Sequence, residues 1–379
     1  MKKLAFIHDH EFVINGKDAY SPGKLSTSSF DRYLSIFDHV TIVSRYRLKA
    51  NGDTLATLNK VTDSRIDFQR FENQSKFINR FVLRSKYKKK LREILKHFDA
   101  LVIRVPSEIG FLASEIALEL KIPYVCEVVA CPSDAMDGFN SIKSRLYKKI
   151  IVQSMKKTVL FSSGALYVTR YFLQERYPTK GFTCIASNVE INELGRCREY
   201  SQKSVYRIVL TGNLDSFHKG YDILFLALEE LTKKLSFNIE LHLVGKGSIF
   251  KRAINYTNIN IHYPGVLGRT DLFDLLDSSD LYIQPSNQEG LPRATIEAMS
   301  RGLPCVVSDA GGLPELVDPK FVHPKNSPNE LANKILNILT SKGDFELASI
   351  NNIEVAKQFL TKDLRARRLD FYQKLRDLC

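Results

Sequence analysis

Short apolar runs alternate with amphipathic stretches along this chain, first within residues 2–169 and again within residues 206–309. Runs this short are typical of buried strands, and the segment 107–121 between two of them has the apolar spacing of a helix. Strands that alternate with helices form parallel β-α-β units. We therefore predict an α/β fold with two Rossmann-like domains. The predicted strands cover residues 2–8, 39–45, 100–105, 123–129 and 164–169, then 206–212, 239–245, 259–265, 280–285 and 304–309.

A polar stretch at residues 187–205 separates the two series. We interpret it as an interdomain linker, because a chain of 379 residues is long enough for two cores. Helices are predicted at 328–340 and 345–378. Ligands bind beyond the carboxyl ends of parallel strands, so we expect the site in a cleft between two facing sheets. The predicted boundaries are 1–200 for an N-terminal acceptor domain, 201–360 for a C-terminal nucleotide-sugar domain, and 361–379 for a helix returning to the first domain.

The composition predicts a cytoplasmic protein. No apolar run approaches the roughly 20 residues that a membrane-spanning helix needs. The first apolar run ends at His8, which makes it too short for a signal peptide. The six cysteines form no C-x-x-C pair, as expected for reduced thiols.

The most specific segment, residues 287–299, follows a predicted strand and opens a predicted helix. Pro292 suits the first helical turn, where its missing N–H costs nothing, and Gly290 lets the backbone approach a ligand. The free amides of a helix start form an anion site, which suits a diphosphate. Glu297 lies two turns inside the helix, where it can accept hydrogen bonds from both hydroxyls of a ribose. Glu289 can hold the hydroxyls of a sugar.

This region resembles the family 4 glycosyltransferases, which are retaining enzymes of the GT-B fold. Their signature of two glutamates separated by seven residues is present as Glu289 and Glu297. The resemblance implies that Lys219 contacts the donor phosphates, Glu297 the ribose and Glu289 the sugar, so that Lys219 and Glu289 are the catalytic residues. Other segments that fit the family are 211–224, 241–247, 263–266 and 300–317. The remaining predicted donor-binding residues are Gly290, Leu291, Pro292, Arg293, Gly212, Asn213 and Gly16.

Two of these residues leave alternatives open. The family's usual loop has an arginine where this chain has Asn213, and an uncharged amide cannot replace a guanidinium group. Either Arg269 or Arg293 compensates, or the leaving group is stabilised less. Gly16 follows the first strand, where it either lets the backbone approach the phosphates or forms a surface turn.

Many family members also carry a histidine near the strand that here covers residues 123–129, and this chain has none there. Glu127 and Asp134 are the carboxylates close to that strand end, so we assign them to the acceptor site. The run 8–11 (His-Asp-His-Glu) is not expected to bind a metal, because consecutive residues of a strand point in alternating directions. The chain has no D-x-D triplet, so we expect no metal cofactor and neutralisation of the diphosphate by cations and helix amides.

The excess positive charge lies in the first half of the chain. Residues 1–200 hold 33 Lys and Arg against 21 Asp and Glu, whereas residues 201–379 hold 22 against 21. The basic amphipathic segments 76–96 and 141–157 predict binding to anionic lipid, with a solvated helix face as the alternative. Nucleic acid is not expected as a partner, since the chain shows no recognised nucleic-acid-binding motif.

The resemblance implies a metal-independent, retaining hexosyltransferase that moves a sugar from a nucleotide-diphosphate-sugar to an acceptor. Residues 30–45 and 167–178 resemble bacterial surface-polysaccharide transferases of this family. Such enzymes usually extend a lipid-linked glycan at the inner face of the cytoplasmic membrane, so we expect a peripheral cytoplasmic enzyme. The alternatives are a non-catalytic, glycosyltransferase-like partner subunit and a nucleotide-sugar epimerase on the same fold.

Overall fold

A computed structural model describes residues 1–16, 18–23, 25–50, 54–74, 82–135, 141–247 and 256–379. The chain divides into two compact units. Unit 1 comprises Met1–Ala186 together with Arg365–Cys379, and unit 2 comprises Ser187–Leu364. Each unit is built on a largely or wholly parallel sheet with helices, which confirms the prediction of two Rossmann-like α/β domains.

In unit 1, parallel pairing gives the strand order β5-β3-β1-β6-β7-β8-β9, and an antiparallel extension, β2 with β4, pairs with the end of β1. These strands are β1 (Lys3–Asn15), β2 (Asp18–Ser21), β3 (His39–Leu48), β4 (Asn59–Val61), β5 (Ile66–Arg70), β6 (Ala100–Val105), β7 (Tyr124–Val128), β8 (Gly164–Tyr167) and β9 (Phe182–Ile185). The helices are α1 (Asp31–Leu34), α2 (Arg84–Leu95), α3 (Glu108–Leu120), α4 (Pro132–Ala135), α5 (Ile142–Leu160) and α6 (Phe172–Arg176).

In unit 2, all strand pairs are parallel and the order is β12-β11-β10-β13-β14-β15. The strands are β10 (Val205–Thr211), β11 (Asn238–Val244), β12 (Ile259–Gly265), β13 (Leu281–Gln284), β14 (Cys305–Ser308) and β15 (Val322–His323). The helices are α7 (Tyr221–Thr232), α8 (Arg269–Asp277), α9 (Arg293–Ser300), α10 (Pro328–Thr340), α11 (Lys342–Ala356) and α12 (Thr361–Arg376), the last of which enters unit 1 at Arg365.

The sheet of unit 2 reverses its strand order between β10 and β13. At such a switch point the loops that follow the two strands diverge, which leaves a crevice at the carboxyl ends. Strand β10 is held there because Ile208, Val209 and Leu210 are fully buried in the core of the unit. The topology therefore brings the loop after β10 and the loop after β13 to one edge of the sheet.

The predicted domain boundary at residue 200 differs from the structure, in which unit 2 begins at Ser187. The guanidinium group of Arg198 donates hydrogen bonds to the carbonyls of Leu276 (2.8 Å), Arg301 (3.2 Å) and Ser279. Its backbone N–H also bonds Ser349 Oγ at 2.7 Å. The polar stretch that resembled a free linker is thus hydrogen-bonded to the second unit.

The single helix predicted at 345–378 is also wrong, because the chain breaks it at Leu360. Ile191 N donates to the carbonyl of Phe359 (2.8 Å), and Thr361 N donates to the carbonyl of Ile191 (2.9 Å). These two bonds hold Leu360 extended beside Ile191, so helix α11 ends before this point and α12 starts after it.

Candidate functional site

The loop after β10 carries the predicted phosphate-binding lysine. Asn213 Oδ1 accepts a hydrogen bond from Asp215 N (3.1 Å), so this amide shapes the turn. A 3-10 turn, Phe217–Lys219, leads into α7. The aliphatic part of Lys219 passes over Gly212, where an added Cβ would lie 3.1 Å from Lys219 Cε. A side chain at position 212 would therefore displace the lysine.

The loop after β13 brings Glu289 to this lysine. Lys219 Nζ forms an ion pair with Glu289 Oε1, and Ser286 Oγ donates to the same oxygen at 3.0 Å. The Lys219 and Glu289 side chains are 23% and 12% exposed, so both can meet a ligand from solvent. The two predicted catalytic residues are thus in direct contact.

A chain of hydrogen bonds runs from Glu289 into the core of unit 2. Ser286 Oγ accepts from Gln284 Nε2 (2.8 Å), and Gln284 Oε1 accepts from Tyr282 OH (2.6 Å). Thr211 Oγ1 lies 3.4 Å from Tyr282 OH. Because Tyr282, Gln284 and Ser286 are fully buried, this network fixes the orientation of Ser286 and, through it, of Glu289.

Two glycines let the loops approach closely. Gly220 has a φ of +69°, and a Cβ there would lie 1.9 Å from the carbonyl oxygen of Pro285. Gly311 has a φ of +57°, and a Cβ there would lie 1.8 Å from the carbonyl oxygen of Glu289. Other residues cannot occupy these positions without moving the loop that carries Glu289.

The predicted anion site lies at the start of α9. Pro292 is extended (ψ 119°) and takes the N-cap position, so Arg293 is the first helical residue. No side chain among the described residues caps this end, and amides of a first helical turn need partners outside the helix. The carbonyl of Gly290 accepts from Gly312 N (2.9 Å), and Leu291 packs against the core, which fixes the loop before the helix.

Glu297 lies on this helix with its side chain 14% exposed. Its Oε1 is 3.7 Å from Arg293 Nη1, one turn earlier, and the Arg293 side chain is 43% exposed. The Arg293 end of this pair is exposed to solvent, so the pair contributes little to stability. Both glutamates of the signature are therefore paired with cations that are themselves predicted donor-site residues.

We expect Ser286→Ala to lower kcat about tenfold while the fold is retained. The change removes one hydrogen bond to Glu289 and leaves the Gln284 amide without its buried partner, a loss of about 1–3 kcal/mol. Turnover kinetics and circular dichroism measure both effects. Ser308→Ala is the matched control, because Ser308 is equally buried and donates to the backbone oxygen of Ser286 (2.5 Å) instead of to Glu289. Equal losses in the two variants would contradict a positioning role for the Ser286 hydroxyl.

The structure shows where two cations that could compensate for Asn213 lie. Arg269 lies over the ring of Phe273, with 5.3 Å between its guanidinium carbon and the centroid. Lys246, which the sequence did not single out, is exposed on the loop after β11, and its carbonyl accepts from Leu214 N (2.8 Å). Lys246 therefore lies on a loop directly beside Asn213. Lys246 could have been predicted from the sequence, because the loops after β10 and β11 meet at one edge of a parallel sheet.

The structure contradicts the acceptor role predicted for Glu127. Its side chain is 1% exposed, and its Oε2 accepts from Arg104 Nη2 (2.6 Å) and Nε (2.7 Å). Its Oε1 accepts from Tyr372 OH (2.5 Å) and Tyr33 OH. Burial opposes ionisation, but Arg104 and Arg32 together with the two hydroxyl donors lower the pKa of Glu127 to about 2. Glu127 is a structural anion that anchors α12 within unit 1.

We expect Glu127→Gln to lower the free energy of unfolding at neutral pH by about 3–5 kcal/mol, because Arg104 is left buried without a counter-ion. The pKa of Glu127 is below its ordinary value of 4.5. Its ionisation therefore stabilises the protein above pH 4.5, and this contribution is lost as the pH falls towards 2. Denaturant unfolding of both proteins across this range should show the difference shrinking with acid. A difference that is constant with pH would contradict the assignment.

The other two predicted residues of unit 1 have local roles in the structure. Asp134 forms an ion pair with Arg176 Nη1 (2.6 Å) at the surface. Gly16 has a φ of +62° in the connection between β1 and the antiparallel β2, so the surface turn accounts for this glycine. Asp9, from the run 8–11, accepts hydrogen bonds from Glu108 N and Ile109 N (3.3 Å) and so caps α3. Burial, with Arg104 nearby, lowers the pKa of His8 to about 3.

Comparisons with known proteins show which sequences and folds this chain is similar to. Residues 205–341 match the family described as "Glycosyl transferases group 1". Protein CapJ of Staphylococcus aureus is 28% identical over 388 aligned residues, covering 98% of this chain and 97% of CapJ. The UDP-Gal:alpha-D-GlcNAc-diphosphoundecaprenol alpha-1,3-galactosyltransferase of Escherichia coli is 45% identical over 53 residues, 14% of each chain. The crystal structure of HepE from Anabaena in complex with UDP is 18% identical and covers 100% of both chains with a TM-score of 0.61.

The matched segment 205–341 contains Lys219, Glu289 and Glu297. The structural similarity gives the GT-B fold, and the sequence relatives supply the chemical class. Together they support a family 4-like glycosyltransferase with the GT-B fold, similar to enzymes of bacterial polysaccharide synthesis.

Proposed function

We propose that the enzyme transfers a hexose from a nucleotide-diphosphate-sugar to a hydroxyl group of a lipid-linked glycan, with retention of configuration at the anomeric carbon. The observation that carries this proposal is the contact between Lys219 and Glu289 beside the uncapped start of α9. It brings a cation suited to phosphates and a carboxylate suited to sugar hydroxyls to one edge of unit 2.

Each group has a distinct task in this mechanism. Lys219 and the amides near Gly290 and Leu291 hold the diphosphate, Glu297 accepts from the ribose hydroxyls, and Glu289 orients the sugar. As the bond between the anomeric carbon and the phosphate oxygen breaks, Lys219 and the helix amides stabilise the negative charge on the leaving group. The acceptor oxygen bonds to the same face of the anomeric carbon, and the departing phosphate oxygen takes the acceptor's proton. We propose that this step needs no divalent ion.

The proposed acceptor is supported by the E. coli relative, whose name specifies a diphosphoundecaprenol-linked sugar as its substrate. The most direct test measures nucleotide release with UDP-, GDP- and ADP-sugars in the presence and absence of a lipid-linked acceptor. We expect release to depend on the acceptor, to be unchanged by added Mg²⁺ or Mn²⁺, and to give a product with the donor's anomeric configuration. Acceptor-independent release of free sugar would instead indicate an epimerase, and no nucleotide binding at all would indicate a partner subunit.

We also propose that unit 1 binds anionic lipid through helix α5. Within the described residues, no helix is both long and apolar enough to span a bilayer. Of the predicted basic segment 76–96, residues 76–81 lie outside the described residues. The α2 part is largely neutralised by acids, with Arg84 paired to Glu115, and Lys88 and Arg92 paired to Glu119.

Helix α5, which covers most of segment 141–157, contains no acidic residue. Among the described residues, no acid pairs with the side chains of Arg145, Lys149, Lys156 or Lys157, all of which are exposed. Leu146, also exposed at 60%, adds an apolar contact beside these cations. A basic face with an exposed apolar residue is the pattern that lies on an anionic membrane surface.

Reversing two charges on α5, Lys149→Glu with Lys156→Glu, should weaken binding to phosphatidylglycerol vesicles at least about tenfold. Each cation near such a surface contributes about 1 kcal/mol, and the new acids add repulsion. Vesicle co-sedimentation at fixed salt measures the effect. The matched control reverses Lys86 and Lys89, two exposed cations of α2, and should have a smaller effect. Equal weakening by both variants would show that only net charge matters and would refute a specific role for α5.

A further inference from the structure

Two histidines and a glutamate lie together on one face of the sheet of unit 2. His242 on β11 is the register partner of His262 on β12, and Glu240 precedes His242 by two residues on the same face. The two imidazole rings are stacked, with centroids 4.7 Å apart and planes at 20°. One ligand atom from each of the three side chains lies within 4.8 Å of the other two.

The buried nitrogen of His242 has no hydrogen-bond partner. Its Nε2 atom is shielded from solvent and unsatisfied, and the nearest carboxylate oxygen, Glu240 Oε2, is 3.9 Å away. A buried polar atom without a partner is costly, and such atoms in a native protein often indicate an ion or water that completes the site.

Arg207 orients the carboxylate of Glu240. Arg207 donates to Glu240 Oε2 from Nη2 (3.0 Å) and from Nε (3.2 Å), and to Ser278 Oγ from Nη1 (3.0 Å). Both bonds to Glu240 go to Oε2, so Arg207 does not occupy Oε1. Arg207 thus fixes the carboxylate from outside, as groups behind a metal ligand do, although its charge moderates the affinity for a cation.

We propose that Glu240, His242 and His262 form a binding site for a borderline divalent transition metal of the Zn²⁺ class, with water as the fourth ligand. Two imidazoles and a carboxylate are a ligand set that Zn²⁺ accepts. Tetrahedral coordination with bonds of 2.0–2.2 Å places ligand atoms about 3.3 Å apart. The ligand atoms of the cluster now lie up to 4.8 Å apart. The exposed His262 side chain can rotate to shorten these distances. The metal would join the edge strand β12 to β11, and it takes no part in the sugar transfer.

The test uses tag-free protein freed of metal with a chelator and titrated with Zn²⁺ against a chromophoric competitor. We expect the wild type to bind one equivalent and its thermal unfolding midpoint to rise. His242→Gln and His262→Gln should each weaken binding about 100-fold or more, beyond the 10–100-fold that loss of an outer-shell partner costs. His39→Gln is the control, because His39 lies in unit 1, where its Nε2 contacts Asp67 (2.9 Å), and is not one of the three residues of this cluster.

Two results would overturn the proposal: the absence of a stoichiometric Zn²⁺ ion in the wild type, or equal affinity in the wild type and the two cluster variants. His262→Gln keeps the test valid if His242→Gln fails to fold, because His262 is exposed. Replacing Zn²⁺ with Co²⁺ gives a second readout, since a visible absorption band typical of tetrahedral coordination should appear in the wild type and be absent in His262→Gln. The proposal does not depend on the donor site, so nucleotide binding should be the same in both histidine variants.

Discussion

Glu297→Ala is expected to reduce kcat/KM at least about 100-fold and to leave the fold intact. In the proposed site this carboxylate accepts two hydrogen bonds from the ribose, and hydrogen bonds to a charged group contribute about 1.5–3 kcal/mol each. The ion pair of Glu297 with Arg293 spans 3.7 Å and its Arg293 end is exposed, so we expect the loss of this pair to cost little stability. Initial rates over a range of donor concentrations, with circular dichroism as a check of folding, measure the effect.

The matched control for this variant is Glu229→Ala. Glu229 is an exposed glutamate of α7, far along that helix from the donor loop. It should leave kcat and KM unchanged. Near-normal activity of Glu297→Ala would refute the ribose assignment, because no other described carboxylate of α9 is available to replace it.

Lys219→Gln is expected to lower kcat about 100- to 1,000-fold, which is the range seen when one preorganised group that stabilises developing charge is removed. The reason is twofold. The variant removes the cation that faces the leaving diphosphate, and it leaves Glu289 without its ion-pair partner. We expect the donor KM to rise as well, since the same cation binds the phosphates before reaction.

Lys234→Gln is the control, because Lys234 is exposed on the surface of the same unit and donates to Asn333 (3.1 Å). A loss confined to KM, with kcat unchanged, would show that Lys219 binds the donor without stabilising the leaving group. Lys219→Arg should not restore activity, because the lysine stem is packed against Gly212 and a guanidinium group has a different shape.

The sequence was sufficient for the architecture because parallel strands buried on both faces give continuous apolar runs. The strands of unit 2 that flank the switch point, β10 and β13, lie within the predicted runs 206–212 and 280–285 to within a residue. The boundary at residue 200 was wrong because a polar segment can be tied to a domain by hydrogen bonds from its side chains to backbone carbonyls, as Arg198 shows. The break at Leu360 was missed since its cause is a contact with Ile191, which is distant in sequence.

The site was predicted only in part for a similar reason. The pairing of Lys219 with Glu289 follows from the strand order, but the buried network behind Ser286 depends on side-chain contacts that no local pattern encodes. Glu127 was misassigned because a carboxylate near a strand end looks the same in sequence whether it faces solvent or a buried arginine. The contact of His242 with His262 likewise depends on the register of two strands.

The central claim is that the edge of unit 2 at Lys219, Glu289 and Glu297 binds a sugar nucleotide. Calorimetric titration of the intact protein with UDP, GDP and ADP tests it most directly, with Glu297→Ala titrated in parallel. We predict one site that prefers one of the three nucleotides, with affinity at least tenfold weaker in the variant. Heats indistinguishable from dilution for all three nucleotides, or equal affinity in the wild type and Glu297→Ala, would contradict it.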